Sequence, residues 1–231
     1  MSTSSKADCL VSTHWLAASI AEKKELVVVD ASYSVLGGTL LCKEEYKAGH
    51  IRNSVFFDIN TIADQKAYHS HMMPSKEIFS HEVGKLGISN KHIVIAYDTN
   101  SGGCAAARVW WMFKAFGHNN VAVLDGGLNK WKSDGYSVTN NSTKIKSKKF
   151  VAIRNAKSSI LNKKDIRSNI ETQHYQIIDA RSKGRFSGED KEPTKTLKSG
   201  HIPDSINLPY TSLFNGSTQT FKIAEEIKSI F

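Results

Sequence analysis

The chain has 231 residues, a formal net charge of +9 and 40% hydrophobic residues. That length suits one or two domains with buried cores, and no apolar run approaches the roughly 18 residues that span a bilayer. The N-terminal residues lack the apolar core of a signal peptide, so we expect a cytoplasmic protein that binds no membrane.

The excess of basic residues admits three interpretations: a solvated surface, attraction of small anions, or nucleic-acid binding. The 31 Lys and Arg residues are scattered, and the one dense cluster lies in a Ser/Thr/Asn-rich stretch at 144–149. This distribution favours a solvated surface and argues against nucleic acid as a partner.

Three cysteines, Cys9, Cys42 and Cys104, fit neither a disulfide framework nor a CxxC metal site. They predict a reducing compartment. His69 and His71 form an HxH pair without a third ligand in view, so we expect neither a metal nor another cofactor.

Apolar runs alternate with helical patterns through the first 138 residues. Ser12 can cap a helix that follows it. Strands are predicted at 26–29, 54–57, 92–97 and 121–124, and helices at 13–21, 44–47, 75–86, 104–116 and 128–133. Such alternation is typical of a parallel sheet with helices on both faces.

The connection after the third predicted strand, residues 98–103, reads DTNSGG and leads directly into a helix. A strand, a glycine loop and a helix N-terminus can form an anion cradle, because the first helical amides have no internal partner. An ordinary β-to-α connection has the same pattern, and the loop by itself favours that simpler interpretation.

Part of this pattern occurs twice. An apolar run ends at Asp30 and again at Asp179, and Gly-His-Ile follows at 49–51 and at 200–202. Two copies imply two related domains. The polar stretch 139–150 is predicted as a linker, which gives an N-terminal domain at 8–138 and a partial C-terminal domain at 151–231.

The second copy has fewer predicted elements than the first. Helices are predicted at 162–171 and 222–231, and strands at 176–178 and 205–208. Nothing in it matches the strands at 92–97 and 121–124 or the helix between them. We therefore expect the second domain to be incomplete.

Six motifs between residues 26 and 215 resemble, in order, those of the tandem-domain sulfurtransferases of the rhodanese family, nearest the 3-mercaptopyruvate branch: GHIRNSVFFDI, HMMPSKEIF, ARVWWMFKAFGH, VAVLDGGLNKW, DARSKGRFSG and SGHIPDSINLPY. The resemblance implies an α/β fold of two rhodanese-like domains, each a parallel sheet flanked by helices, the second incomplete. It also implies a sulfur relay from 3-mercaptopyruvate or thiosulfate, through a cysteine persulfide, to cyanide, a thiol or a thioredoxin-like acceptor.

The family seats its nucleophile in a loop of the CGSGVT kind, which this sequence does not contain. By the resemblance the catalytic cysteine would lie beyond Phe231. Asp98 stands at the matching place in the first domain. Cys104, at the start of the next helix, is a possible substitute, although a free cysteine there is more often a small buried residue.

Arg185, in GRF, matches an arginine that holds the anionic donor in the family, and its guanidinium can form two parallel hydrogen bonds to a carboxylate. The alternative is a structural pairing with Asp179, Glu189 or Asp190. The family's second arginine, in EPR, is replaced here by threonine, and Lys195 could supply a less directional charge.

Arg181, in DAR, and the paired histidines His50 and His201 are interpreted as structural. A minority interpretation gives His50 a part in an interdomain site. Three functional hypotheses follow: a sulfurtransferase by descent whose chain is inactive or completed by another polypeptide, a non-catalytic binding module on the rhodanese scaffold, or an active enzyme that uses Cys104.

Overall fold

The computed structural model describes residues 9–33, 38–99, 103–154, 160–193 and 197–231. Its contacts divide the chain into two compact units, Met1–Ser158 with Gly216–Thr220, and Ser159–Asn215 with Phe221–Phe231. Each unit contains a parallel sheet and helices, so the predicted α/β class is confirmed.

The first unit is built on a five-stranded parallel sheet of order β1-β5-β4-β2-β3. Its strands are β1 (Leu10–Val11), β2 (Leu26–Asp30), β3 (Ser54–Phe56), β4 (Ile93–Tyr97) and β5 (Val121–Leu124). Its helices are α1 (Thr13–Glu22), α2 (Gly38–Ala48), α3 (Lys76–Lys85), α4 (Cys104–Ala115) and α5 (Gly127–Ser133). Strand β1 was not predicted.

Side chains of the central strands alternate between two apolar clusters. Val94 and Ala96 of β4 pack with α3 and α4, whereas Ile95 and Tyr97 pack with α1 and α5. Successive side chains of a strand point to opposite faces, so a sheet covered on both faces needs continuous apolar runs. The predicted helices on both faces are confirmed.

Local signals set the helix ends. The Ser12 hydroxyl accepts the Trp15 amide at 3.1 Å, and Ser75 accepts the Ile78 amide at 3.3 Å. These hydroxyls satisfy amides that have no partner inside the helix. Gly87, just beyond α3, has φ +76°, which glycine adopts without a steric penalty.

Residues 139–153 lie along the first unit. Thr139 forms an antiparallel bridge with His50, and the Lys148 amide donates to the Gly84 carbonyl at 2.9 Å. A Cβ atom on Gly84 would lie 2.5 Å from the Lys148 carbonyl oxygen, so this approach requires glycine. Phe150 is 4% exposed and belongs to the core. The predicted domain boundaries and linker stay a prediction.

The second unit contains a two-stranded parallel sheet, β6 (Ile178–Asp179) and β7 (Ile206–Asn207). Its helices are α6 (Lys163–Thr172), α7 (Lys183–Ser187) and α8 (Ala224–Lys228), with a 3-10 turn at Tyr210–Leu213. Ile178 and Ile206 are 45% and 50% exposed. Across the described ranges, every fully buried apolar side chain belongs to the first unit.

None of the helices in the described part of the chain is both long and apolar enough to cross a membrane.

Candidate functional site

Arg185 lies on the short helix α7 of the second unit. Ser182 caps this helix by accepting the Arg185 amide at 3.4 Å, and Gly188 ends it at φ +89°. The guanidinium donates from Nη2 to Glu192 Oε2 at 2.6 Å and from Nε to Oε1 at 3.2 Å. Its partner is therefore Glu192, which was not among the three acids considered from the sequence.

Glu192 also accepts a hydrogen bond from a second arginine, Arg181. Arg181 Nη1 donates to Glu192 Oε1 at 2.8 Å, and Arg181 Nη2 donates to the Gly200 carbonyl at 2.8 Å. Arg181 Nε donates to both Asp179 oxygens, at 2.9 and 3.0 Å. These bonds join the end of β6 to the connection between α7 and β7, as expected of a structural residue.

Both carboxylates of this network are held ionised. The Arg185 guanidinium beside Glu192 lowers the pKa of that carboxyl, and Arg181 does the same for Asp179. The Glu192 side chain is 3% exposed and that of Arg185 is 34% exposed. Of the residues that the structure describes, none accepts a hydrogen bond from Arg185 Nη1. The outer edge of the guanidinium is therefore accessible to an anion.

The two units share a histidine motif. His201 Nδ1 lies 2.7 Å from the Phe186 carbonyl oxygen, and their rings stack at 3.8 Å. His50 Nδ1 lies 2.7 Å from the Tyr46 carbonyl oxygen, and these rings stack at 4.1 Å. In both copies the histidine follows a helix and contacts a backbone carbonyl of that helix. This contact agrees with a structural role.

This shared motif aligns α2 with α7. Phe186 corresponds to Tyr46, so the residue before it, Arg185, corresponds to Glu45. The first unit thus carries a carboxylate at the position where the second unit carries a guanidinium. Glu45 lines a cavity of about 320 Å³ at the carboxyl ends of β2 and β4, together with Asp30.

This cavity is lined by two acids, Asp30 and Glu45, and by one basic side chain, Lys132. Burial raises the pKa of Asp30, which is 1% exposed, and the nearby Asp98 adds to the rise. The Asp98 carboxylate accepts the amides of Gly103 at 3.1 Å and Ala106 at 2.9 Å. Two of the amides that could have contributed to an anion cradle at the start of α4 are therefore already bonded to Asp98.

Cys104 is exposed at the start of α4, not buried as expected of a structural cysteine. Its surroundings nevertheless disfavour a thiolate: desolvation and the Asp98 carboxylate raise the pKa of the thiol. A nucleophilic cysteine needs the opposite shift. Cys42 is fully buried, and Cys9 is exposed near the N-terminus.

The HxH pair does not assemble a metal site. Among the described residues no three His, Cys, Asp or Glu side chains are grouped to hold an ion. His71 Nε2 instead lies 2.5 Å from Asn60 Oδ1, and its carbonyl accepts from Arg108 Nη2 at 2.7 Å. Burial and the Arg108 charge lower the pKa of His71. Sequence reasoning missed this contact, because Asn60 carries no signal that pairs it with a histidine 11 residues away.

Lys195, the second candidate for the donor site, and its neighbour Thr194 lie outside the described residues.

Comparisons with known proteins show which family this chain resembles. A family model for the rhodanese-like domain matches residues 12–134 and 162–230. The chain is 40% identical to thiosulfate/3-mercaptopyruvate sulfurtransferase 2 of Arabidopsis thaliana over 96% of this chain and 70% of that protein. It is 38% identical to thiosulfate sulfurtransferase of Rattus norvegicus over 96% of this chain and 75% of that protein.

A solved structure has the same fold. The crystal structure of the 3-mercaptopyruvate sulfurtransferase SseA from Escherichia coli is similar with a TM-score of 0.86 and 31% identity, over 96% of this chain and 82% of that one. A further curated relative, the mitochondrial thiosulfate/3-mercaptopyruvate sulfurtransferase 1 of Arabidopsis thaliana, is 37% identical over the whole chain, which covers 65% of its length.

Proposed function

Because this chain belongs to the rhodanese family, and the curated relatives that it matches are sulfurtransferase enzymes, we propose that it serves the transfer of sulfane sulfur from a small anionic donor to a thiophilic acceptor. The donor class is 3-mercaptopyruvate or thiosulfate, which relatives of this chain are named for. The acceptor is cyanide or a thiol, including the thiol of a thioredoxin-like protein.

One observation carries the proposal: Arg185 is held by Glu192 with its outer edge accessible. Glu192 accepts hydrogen bonds from Arg185 Nε and Nη2 at 3.2 and 2.6 Å. The carboxylate or thiosulfonate of the sulfur donor would therefore bind at Nη1. A charge-assisted hydrogen bond is stronger than a neutral one, and the fixed guanidinium loses little entropy on binding. The corresponding position of the first unit, Glu45, would repel the same anion.

The nucleophile is proposed to be none of the three cysteines of the sequence. The raised pKa of the Cys104 thiol disfavours the attacking thiolate, and Cys42 is shielded from substrate by burial. We place the persulfide-forming cysteine in a segment outside residues 1–231 that joins the second unit. Chemistry in this chain alone is therefore expected to stop at donor binding.

The test measures donor binding and sulfur transfer separately. Titration of the chain with thiosulfate or 3-mercaptopyruvate should show binding that Arg185→Gln weakens about tenfold, the value of one charge-assisted contact. Arg167→Gln is the matched control, because Arg167 is an exposed arginine on α6 of the same unit. Equal effects of the two substitutions would refute the role of Arg185.

Transfer to cyanide is assayed with the same donors, and mass spectrometry locates any added sulfur. We expect no turnover and no persulfide. A persulfide on Cys104 that Cys104→Ser abolishes would refute the assignment of the nucleophile. Donor binding that is absent altogether would instead favour a non-catalytic binding module on the same scaffold.

We also propose a reducing, cytoplasmic location, since all three cysteines are free. Fractionation of cells that express the full-length protein tests this, and enrichment with mitochondria would contradict it.

A further inference from the structure

Two grooves adjoin each other on one face of the first unit and share Ser142. The cationic groove, of about 680 Å³, runs between the turn at residues 52–53 and the extended stretch 139–144. The apolar groove, of about 570 Å³, lies between α2, α3 and the end of β3. All of their lining residues lie within the described ranges.

The cationic groove carries positive charge that no described carboxylate neutralises. Its walls are fixed by the two reciprocal backbone bonds between His50 and Thr139, each 2.9 Å long. Arg52 and Lys144 are exposed, no carboxylate lines the groove, and neither cation forms an ion pair with a described residue. The rest of the lining consists of hydroxyl and amide side chains, which can donate hydrogen bonds to an anion.

The apolar groove offers a hydrophobic surface beside those cations. Tyr46, Phe56 and Leu86 contribute to it and are all only partly buried. Its two carboxylates are already neutralised, because Lys43 pairs with Asp58 at 2.6 Å and Lys85 pairs with Glu82 at 3.1 Å. An apolar side chain placed there would therefore meet no unpaired acid.

We propose that these two grooves together bind an acidic amphipathic peptide segment of another protein. Its apolar side chains would pack on Phe56 and Leu86, and its carboxylates would pair with Arg52 and Lys144. Desolvated apolar contacts supply most of the affinity at such a surface, and the charges set the orientation and the association rate.

The charge pattern favours a peptide over a nucleic acid. A nucleic acid places a phosphate at every step and binds most tightly to a continuous row of cations. Here the row is interrupted by Asp58 and Glu82, next to the apolar surface. A segment with two or three acidic residues beside hydrophobic ones matches the observed order of cations and apolar side chains.

The probe is a short fluorescein-labelled peptide that alternates leucine with glutamate, followed by fluorescence anisotropy. We expect binding that weakens as ionic strength rises, and that Arg52→Glu combined with Lys144→Glu weakens at least about tenfold. Lys163→Glu combined with Lys164→Glu is the matched control, because it makes the same change of charge on α6 of the second unit. It should leave the affinity within about twofold.

A leucine–glutamine peptide, an oligoglutamate and a single-stranded DNA of matched length serve as competitors. The proposal holds if the leucine–glutamate peptide binds most tightly. If oligoglutamate binds as tightly as the leucine–glutamate peptide, the grooves form a simple anion site instead. If the DNA binds more tightly than the peptide, they form a nucleic-acid surface instead. Equal loss of affinity in both double variants, or no binding to the wild type, would overturn it. Amide shifts in an NMR titration must also fall on residues 52–56 and 142–144.

Discussion

Phe150→Ala tests whether the stretch after residue 138 is part of the first domain. The sequence of this stretch is polar and reads as a linker, in which a substitution changes stability by no more than about 0.5 kcal/mol. In the structure Phe150 is 4% exposed, and its ring centroid lies 5.8 Å from that of Phe79 and 5.9 Å from that of Phe113. The two interpretations therefore predict very different costs.

The magnitude follows from what the substitution removes. Truncating a buried phenylalanine to alanine costs about 3–5 kcal/mol, from lost apolar burial plus the cavity that remains. The edge-to-face contacts with Phe79 and Phe113 belong to the same loss. Against a typical total of about 5–15 kcal/mol, this is a large share of the unfolding free energy. The melting temperature should fall by roughly 10 °C.

Tryptophan fluorescence in urea is a suitable assay, because all 4 tryptophans of the chain lie before residue 132, in the first unit. The signal therefore reports the unfolding of that unit. Val151→Ala is the control: Val151 is the next residue and 46% exposed, so its truncation should cost less than about 0.5 kcal/mol. A loss below about 1 kcal/mol for Phe150→Ala, or equal losses for both variants, would refute the packing of this stretch on the first unit.

Three further predictions follow from the same structure. Burial, with nearby cations at His71 and His92, lowers the pKa of His71, His92 and His118 below 6.5. Below about pH 6.5 these histidines bind protons in the unfolded state that they do not bind in the folded state. The melting temperature of the first unit should therefore fall as the pH drops through about 6.5. A melting temperature that stays constant down to about pH 5 would contradict this prediction. Limited proteolysis should cut the second unit first, because its sheet side chains are half exposed; equal rates for both units would count against the idea. Asp98→Asn should lower the free energy of unfolding in urea by about 1–3 kcal/mol, because an NH2 group replaces one of the two oxygens that accept backbone amides. An unchanged urea midpoint would show that those hydrogen bonds do not contribute to stability.

The sequence predicted the first sheet well, because its central strands are covered on both faces and therefore read as uninterrupted apolar runs. Strand β1 escaped prediction, since two residues carry no periodicity. The second sheet was harder to predict. Strand β2 pairs with both β3 and β4, whereas β6 pairs, in the described part of the chain, with β7 alone and extends over only two residues.

The candidate site was only partly predictable. The motif GRF identified Arg185, but its partner depends on how the chain turns after α7. Gly188, at φ +89°, reverses the chain and allows Glu192 to return to Arg185. The sequence offers several acids at similar separations, so no spacing rule distinguishes Glu192 from Glu189 or Asp190.

The two copies show how one scaffold can present opposite charge chemistry. Asp30 and Asp179 end equivalent strands, yet burial raises the pKa of Asp30, and the Arg181 guanidinium lowers that of Asp179. At the aligned helix position the first copy carries Glu45 and the second carries Arg185. The cavity at the first sheet edge thus holds Asp30, Glu45 and Lys132, whereas the second unit carries Arg185, whose side chain is 34% exposed. We therefore propose that the second unit, rather than the first, binds the anionic sulfur donor.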